Sequence, residues 1–287
     1  MIENRFKSVH KIIPNQIELF RLNTSLLFWI GFVPPLFAAV FAIGTAIIFH
    51  QSKITNYVWI CGRAFLPSLS RIINLTLEGL VWQLAIFFHV PFRLLEVAVG
   101  WVRYGRLEST TNKWKRWYTL NRYLYAIVGI SEVVLLTGLS AIGEKEQGII
   151  HVCIFYSFGV IALVFFISNT VCHSQSLYYL NPYGRISYYV KICITLTYFL
   201  SAPAIATFYV LYWKACFTWA YELFALVEYF DVFMVIFYHG CCVYWDIQHK
   251  VIFSIRYNKP IKEKEVDIEF STITPVSKLS VADNSTD

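Results

Sequence analysis

The sequence predicts an all-α protein, a polytopic membrane bundle of six transmembrane helices with both termini cytosolic. Three observations predict it. The composition is 57% hydrophobic and only 15% charged, whereas a soluble domain carries about 25% charged residues. Six apolar runs approach or exceed the about 20 residues that cross a bilayer core. The basic residues are unevenly divided. Of 24 lysines and arginines, eighteen lie in the segments on one side of these runs or, like Lys191, at that end of a run, five lie on the other side, and Arg93 lies deep within a run. Lys and Arg collect on the cytosolic side, so the side holding both termini is the cytosol. The net charge of +6 therefore reports topology, and no nucleic-acid partner is expected.

Residues 1–23 are polar and basic and read as a cytosolic segment. The first run, Thr24–Phe49, is longer than the core of a signal peptide and reads as a retained anchor. It contains Pro34 and Pro35, which remove backbone donors, so neighbours or water must satisfy the freed carbonyls. The further runs are Leu77–Trp101, Tyr123–Ile142, Ile149–Val171, Ser187–Trp213 and Trp219–Trp245. Residues 24–252 form the membrane domain. Residues 253–287 form a cytosolic tail, polar and Ser/Thr-rich, that is expected to be disordered.

The seven cysteines show no C-x-x-C pair and no Cys/His metal spacing, so no metal is expected. No phosphate-binding Gly-rich loop or nucleophile elbow is present, and no cofactor is implied. Cys241 and Cys242 read as small packing residues, with palmitoylation at the membrane edge as the sharper alternative. Asn23 and Asn284 fall in sequons on the cytosolic side and should be silent. Asn74, in the first outer loop, is the one candidate for glycosylation.

The last run carries the unusual chemistry. At about 100° per residue, Glu228, His239 and Asp246 share one helix face, with Asp231 about 60° away. A carboxylate facing lipid would cost at least about 2.5–3.5 kcal/mol, so this face must look inward. In the second run, His89, Arg93 and Glu96 are spaced by four and three residues and also share a face. Glu132 lies mid-way along the third run, and Glu228 sits at a similar depth in the sixth. His89, Arg93, Glu132 and Glu228 are therefore the candidate polar centre. Arg93 with Glu132 or Glu228 could be an interhelical clamp. Alternatively, the group lines a cavity that handles a lipid headgroup or a proton. His89 is the acid/base candidate, since imidazole titrates near neutrality. Ser68, Ser70, His151, His239 and Asp246 are candidate substrate contacts. The two serines could instead cap a turn, and the histidines could be packing or interfacial groups.

Together these residues resemble a family. Leu66-Pro67-Ser68-x-Ser70 in the first outer loop, His89-x-Pro91-x-Arg93, Glu132 and His151 match its pattern. So does the final-run pattern of Phe224, Ala225, Glu228, Tyr229, His239, Trp245 and Asp246. The chain resembles the post-GPI-attachment-to-proteins factor two family and the wider FRAG/DRAM/SFK-type six-span superfamily, over about Phe49 to Ile252. The stretch Tyr57-Val58-Trp59 precedes the loop motif here, where the family has such a stretch after it. The resemblance implies a role in the Golgi membrane, or the endoplasmic reticulum, in remodelling the lipid of GPI-anchored proteins. The step implied is fatty-acid exchange, at reacylation. The implied partners are membrane lipid, GPI-anchored proteins and an acyl donor. An acyltransferase and an accessory factor both remain open. Two other readings compete: a non-enzymatic regulator of the autophagy-modulator branch, and a transporter or receptor.

Overall fold

The structure is a computed structural model that describes residues 16–55, 59, 61–108, 114–240, 245–246 and 253–258. It divides into two compact units, one made from the two ends of the chain and one spanning 22–253.

The terminal unit holds a two-stranded sheet, β1 (Gln16–Leu22) paired with β2 (Phe253–Asn258). Phe253, Ile255 and Tyr257 alternate with polar residues, which is the period of a strand. The expectation of a tail without structure from residue 253 is thus corrected as far as residue 258. The remainder of that tail, with Asn284, lies outside the described residues, as do Cys241 and Cys242.

The second unit is helical. In order it contains α1 (Thr24–Phe49), α2 (Gln51–Thr55), α3 (Leu69–Ile72), α4 (Thr76–Arg106), α5 (Lys115–Ala141) and α6 (Gly148–Ser174). A 3-10 turn at Leu177–Leu180, α7 (Pro182–Ala215) and α8 (Thr218–Phe237) follow. Each long helix packs on its neighbours in the chain, and α8 returns to α1, so six long helices close into a ring. Local chemistry sets the ends. Asn23 caps α1 by accepting from the Ser25 backbone N–H at 2.9 Å. Asn181 caps α7 in the same way, with Pro182 at its first position. Cys216 adopts the left-handed conformation that stops α7.

On α1, Ala38, Ala39, Ala42 and Ala46 form a fully buried stripe. Small residues allow close backbone approach where lipid supplies no hydrophobic drive, and this stripe packs with Trp82, Ile86 and Ile236. Helix α1 continues through Pro34 and Pro35. Pro35 has no N–H for the Gly31 carbonyl four residues earlier, and His89 of α4 hydrogen-bonds the Gly31 backbone.

Among the described residues, five helices, α1 and α4 to α7, are long and apolar enough to cross a membrane. Helix α8, expected as the sixth, differs because its 20 residues include Glu222, Glu228 and Asp231. All three acids are engaged within the protein. Glu222 accepts from the Phe65 N–H at 3.2 Å, Glu228 accepts from Leu69 and Ser70, and Asp231 accepts from the Ser201 hydroxyl at 2.5 Å. The ring meets its surroundings through large apolar side chains such as Phe49, Ile149 and Leu200.

A disulfide joins Cys61, in the segment between α2 and α3, to Cys216 at the end of α7. It ties two connections 155 residues apart at the end of the bundle where the loop motif lies.

Candidate functional site

The predicted central group assembles in part. Arg93 donates to Glu132 at 2.9 Å, and its Nε lies 3.6 Å from Glu96. His239 joins them, with Nδ1 2.8 Å from Glu96 and Nε2 3.2 Å from Glu132. All four are buried. Both ring nitrogens of His239 face carboxylate oxygens, and ionised carboxylates only accept. The contacts are satisfied when the imidazole carries both protons. One guanidinium, one imidazolium and two carboxylates then balance, which is the condition for keeping charge in a low-dielectric interior. His239 reaches the cage because the chain widens into a π turn at residues 238–240 after α8. Gly240 sits where a Cβ would collide with the Phe32 ring, and Phe165 stacks on the imidazole at 5.3 Å. His89 and Arg93 line a cavity of about 80 Å³ beside this cage.

Glu228 is placed elsewhere, which corrects the expectation of a shared centre. Its carboxylate accepts from the Leu69 N–H at 2.7 Å and the Ser70 hydroxyl at 2.5 Å. The same face of α8 holds the rest of the loop. The Tyr221 hydroxyl donates to Ser68 Oγ at 2.9 Å and accepts from the Ser68 N–H at 3.2 Å, and Tyr229 donates to the Pro67 carbonyl. Ser68 is also the cap of α3. Arg71 lies between the rings of Trp59 and Tyr221, at 4.1 and 4.7 Å. Its Nε is 3.8 Å from Glu144. Asn74 donates its amide to Glu144 at 3.3 Å. Ser68 and Ser70 thus make the turn and cap that their residue types favour.

Asp246 belongs to a third cluster. It accepts from Lys191 at 2.6 Å and lies 3.6 Å from Arg103. Burial pushes the Asp246 carboxyl up, but the Lys191 ammonium and the Arg103 guanidinium outweigh it and hold the group well below the usual carboxylate range. His173 Nε2 faces the Gly184 carbonyl at 2.8 Å, and Nδ1 lies 2.8 Å from Lys191. A carbonyl accepts and an ammonium donates, so His173 is neutral with its proton on Nε2. Arg103 extends the network to Tyr104, Asn169 and Tyr238. The sequence reading missed Lys191, His173 and Arg103 as site residues. The first and last lie in basic segments where positive charge signals only orientation.

His151 hydrogen-bonds to none of the three clusters among the described residues but borders the second. It opens α6, is 2% exposed, and its Nδ1 lies 2.6 Å from the carbonyl of Ile142, the residue that ends α5. It lines a cavity of about 40 Å³ together with Ser70, Arg71 and Glu144. Phe155 and Tyr156, on the next turn of α6, also line a cavity of about 260 Å³ that is bounded by α6, α7 and α8. Among the described residues, no group of three or more His, Cys, Asp or Glu side chains is placed to hold a metal.

Residues 23–250 match the family model described as Frag1/DRAM/Sfk1/Cwh43P N-terminal domain. The chain belongs to this family. The match covers the whole helical ring, with the central cage, the clamped loop and the His151 cavity. The chain is 28% identical over 200 residues to the protein named Post-GPI attachment to proteins factor 2 of Caenorhabditis elegans, covering 66% of this chain and 72% of the relative. It is 30% identical over 203 residues to the protein of that name from Caenorhabditis briggsae, with the same coverage. No solved structure matches the chain. With five helices apolar enough to cross, this member of the family is a multi-pass helical membrane protein.

Proposed function

We propose that the chain supports the maturation of GPI-anchored proteins, and that it acts at the fatty-acid exchange, or reacylation, step of anchor lipid remodelling in the Golgi membrane. The observation that carries this reading is the pair of relatives named for post-GPI attachment, which align with two thirds of the chain. Apolar cavities within the helical ring, each bordered by buried polar groups, support a lipid as the molecule handled. The working centre in this reading is His89 with Arg93 and Glu132 beside their cavity, while Glu228 acts by holding the loop. GPI-anchored proteins, membrane lipid and an acyl donor are the partners.

The reading includes six crossings with cytosolic termini. Pairing of β1 with β2 supports both ends lying on one side. The disulfide supports an oxidising compartment for the opposite loops. Rescue of cells that lack the remodelling factor tests the function. Wild-type chain should restore surface GPI-anchored protein and its saturated acyl composition, and His89→Ala at equal protein level should not. Failure of a Golgi-resident wild type would overturn the pathway. Full rescue by His89→Ala would remove His89 from the working centre.

A further inference from the structure

The His151 imidazole has one nitrogen committed and one left over. A backbone carbonyl can only accept, so the 2.6 Å contact to Ile142 places the ring proton on Nδ1. Nε2 is then a lone-pair acceptor. It is buried and has no hydrogen-bond partner among the described residues. A buried acceptor without a donor costs about 1–3 kcal/mol, and the ring is held in this arrangement by the turn that joins α5 to α6. The missing partner is a donor that enters the cavity His151 lines.

The neighbours limit what that donor can be. Arg71 is paired with Glu144 and stacked between two aromatic rings, so its charge is already balanced. The Ser70 hydroxyl donates to Glu228. These partners suit a neutral hydroxyl better than a phosphate or a carboxylate. Beyond Phe155 and Tyr156, the larger cavity is walled mostly by apolar groups such as Val160, Ala202, Ile205 and Val235; Glu228 and Asp231 also border it, each accepting from a serine hydroxyl.

We propose that this pair of cavities is a binding site for a single-chain lipid, with its free hydroxyl donating to His151 Nε2 and its acyl chain lying between α6, α7 and α8. In a monoacyl glycerolipid the free hydroxyl and the ester are on the same glycerol. Seating the hydroxyl at His151 therefore brings the ester to Phe155 and Tyr156 and directs the chain into the apolar cavity. The assignment rests on the reading above that the chain handles lipid, and it locates the lipid away from the Arg93 cage.

The test uses the full chain in nanodiscs and a monoacyl glycerophosphocholine carrying a diazirine at the end of its acyl chain. Light should attach the probe to Val160, Ala202 or Ile205. Unlabelled monoacyl lipid should compete about fivefold better than its deoxy analogue, as expected for one hydrogen bond. His151→Phe should make the two competitors equal. Ala202→Trp fills the slot without touching the Ile142 latch and should abolish labelling there, which keeps the test decisive if His151→Phe fails to fold. Labelling spread over outward positions such as Leu200, or equal competition by both lipids in the wild type, would overturn the site and leave water as its occupant. The assay contains no GPI-anchored protein. A chain that labels as expected but rescues nothing in cells would overturn the pathway alone. Rescue by Ala202→Trp would overturn this cavity as the lipid site used in cells.

Discussion

The Arg93 cage and the His151 cavity are both buried polar sites built around a histidine, but they are satisfied differently. In the cage, both nitrogens of His239 face carboxylates, and two positive groups meet two negative ones. At His151 one nitrogen is latched to Ile142 and the other is left over beside open space. Balanced charge inside an apolar ring keeps Arg93 and Glu132 fixed beside the His89 cavity, because nothing further is needed to stabilise it. A leftover acceptor at a cavity points to a ligand, because the described residues do not complete it. The presence of a buried histidine says little until the partners of both ring nitrogens are counted.

The comparison is broken most directly at Glu132. Glu132→Ala leaves Arg93 and His239 facing Glu96 alone, and removal of one partner from a buried ion group costs about 3–5 kcal/mol. A large drop in the thermal midpoint of the purified chain is expected, with loss of folded protein in cells. The double change Arg93→Met with Glu132→Leu leaves the Glu96–His239 pair balanced and should recover much of that loss. If the double variant is no more stable than Glu132→Ala, the cage is not held by charge balance.

A smaller effect is expected at the disulfide. Cys61→Ser should destabilise by about 2–4 kcal/mol, from release of a long loop in the unfolded chain. Mass spectrometry after alkylation should show Cys61 and Cys216 blocked in the native protein and modified only after reduction. Alkylation of both without reductant would remove the link.

The smallest of the three lies in the loop clamp. Glu228→Ala strands the buried Leu69 N–H and frees Ser70, at a cost of about 1–3 kcal/mol. Proteolysis between α2 and α4 should quicken while the Arg93 cage stays intact. A variant that loses the cage as well, read from the same thermal and proteolytic profiles, would show that the two sites are coupled rather than separate.

Much of this was legible along the chain. The apolar runs marked the long helices, and the inward face of the last one was required by the cost of an acid in lipid. Spacing placed His89, Arg93 and Glu96 together on α4, and depth along the helices offered Glu132 or Glu228 as a partner for Arg93. Glu228 was assigned to the wrong group because depth along a helix does not specify direction around the ring. Its partners are backbone N–H groups of a loop, which carry no sequence signature. Lys191 was hidden among basic residues that mark the cytosolic side. The strand at 253–258 showed its alternation of Phe253, Ile255 and Tyr257, but the polar run beyond it dominated the reading. Cys61 and Cys216 both fall in segments that the charge pattern predicts on one side, and that shared side was the available signal for their pairing.

By itself, then, the sequence determined that this is a membrane-crossing helical protein and which ionisable groups had to turn inward. Those outcomes follow from solvation, since lipid penalises charge and the unsatisfied backbone wherever they occur. Only the tertiary structure decided which inward groups meet. Closure of the ring brings α8 against α1 and sets His239 between Glu96 and Glu132. It sends Glu228 to the loop at residues 67–70 and leaves one nitrogen of His151 unpaired beside a cavity. Pairing depends on rotation and approach between segments distant in sequence, and helical periodicity carries no record of that.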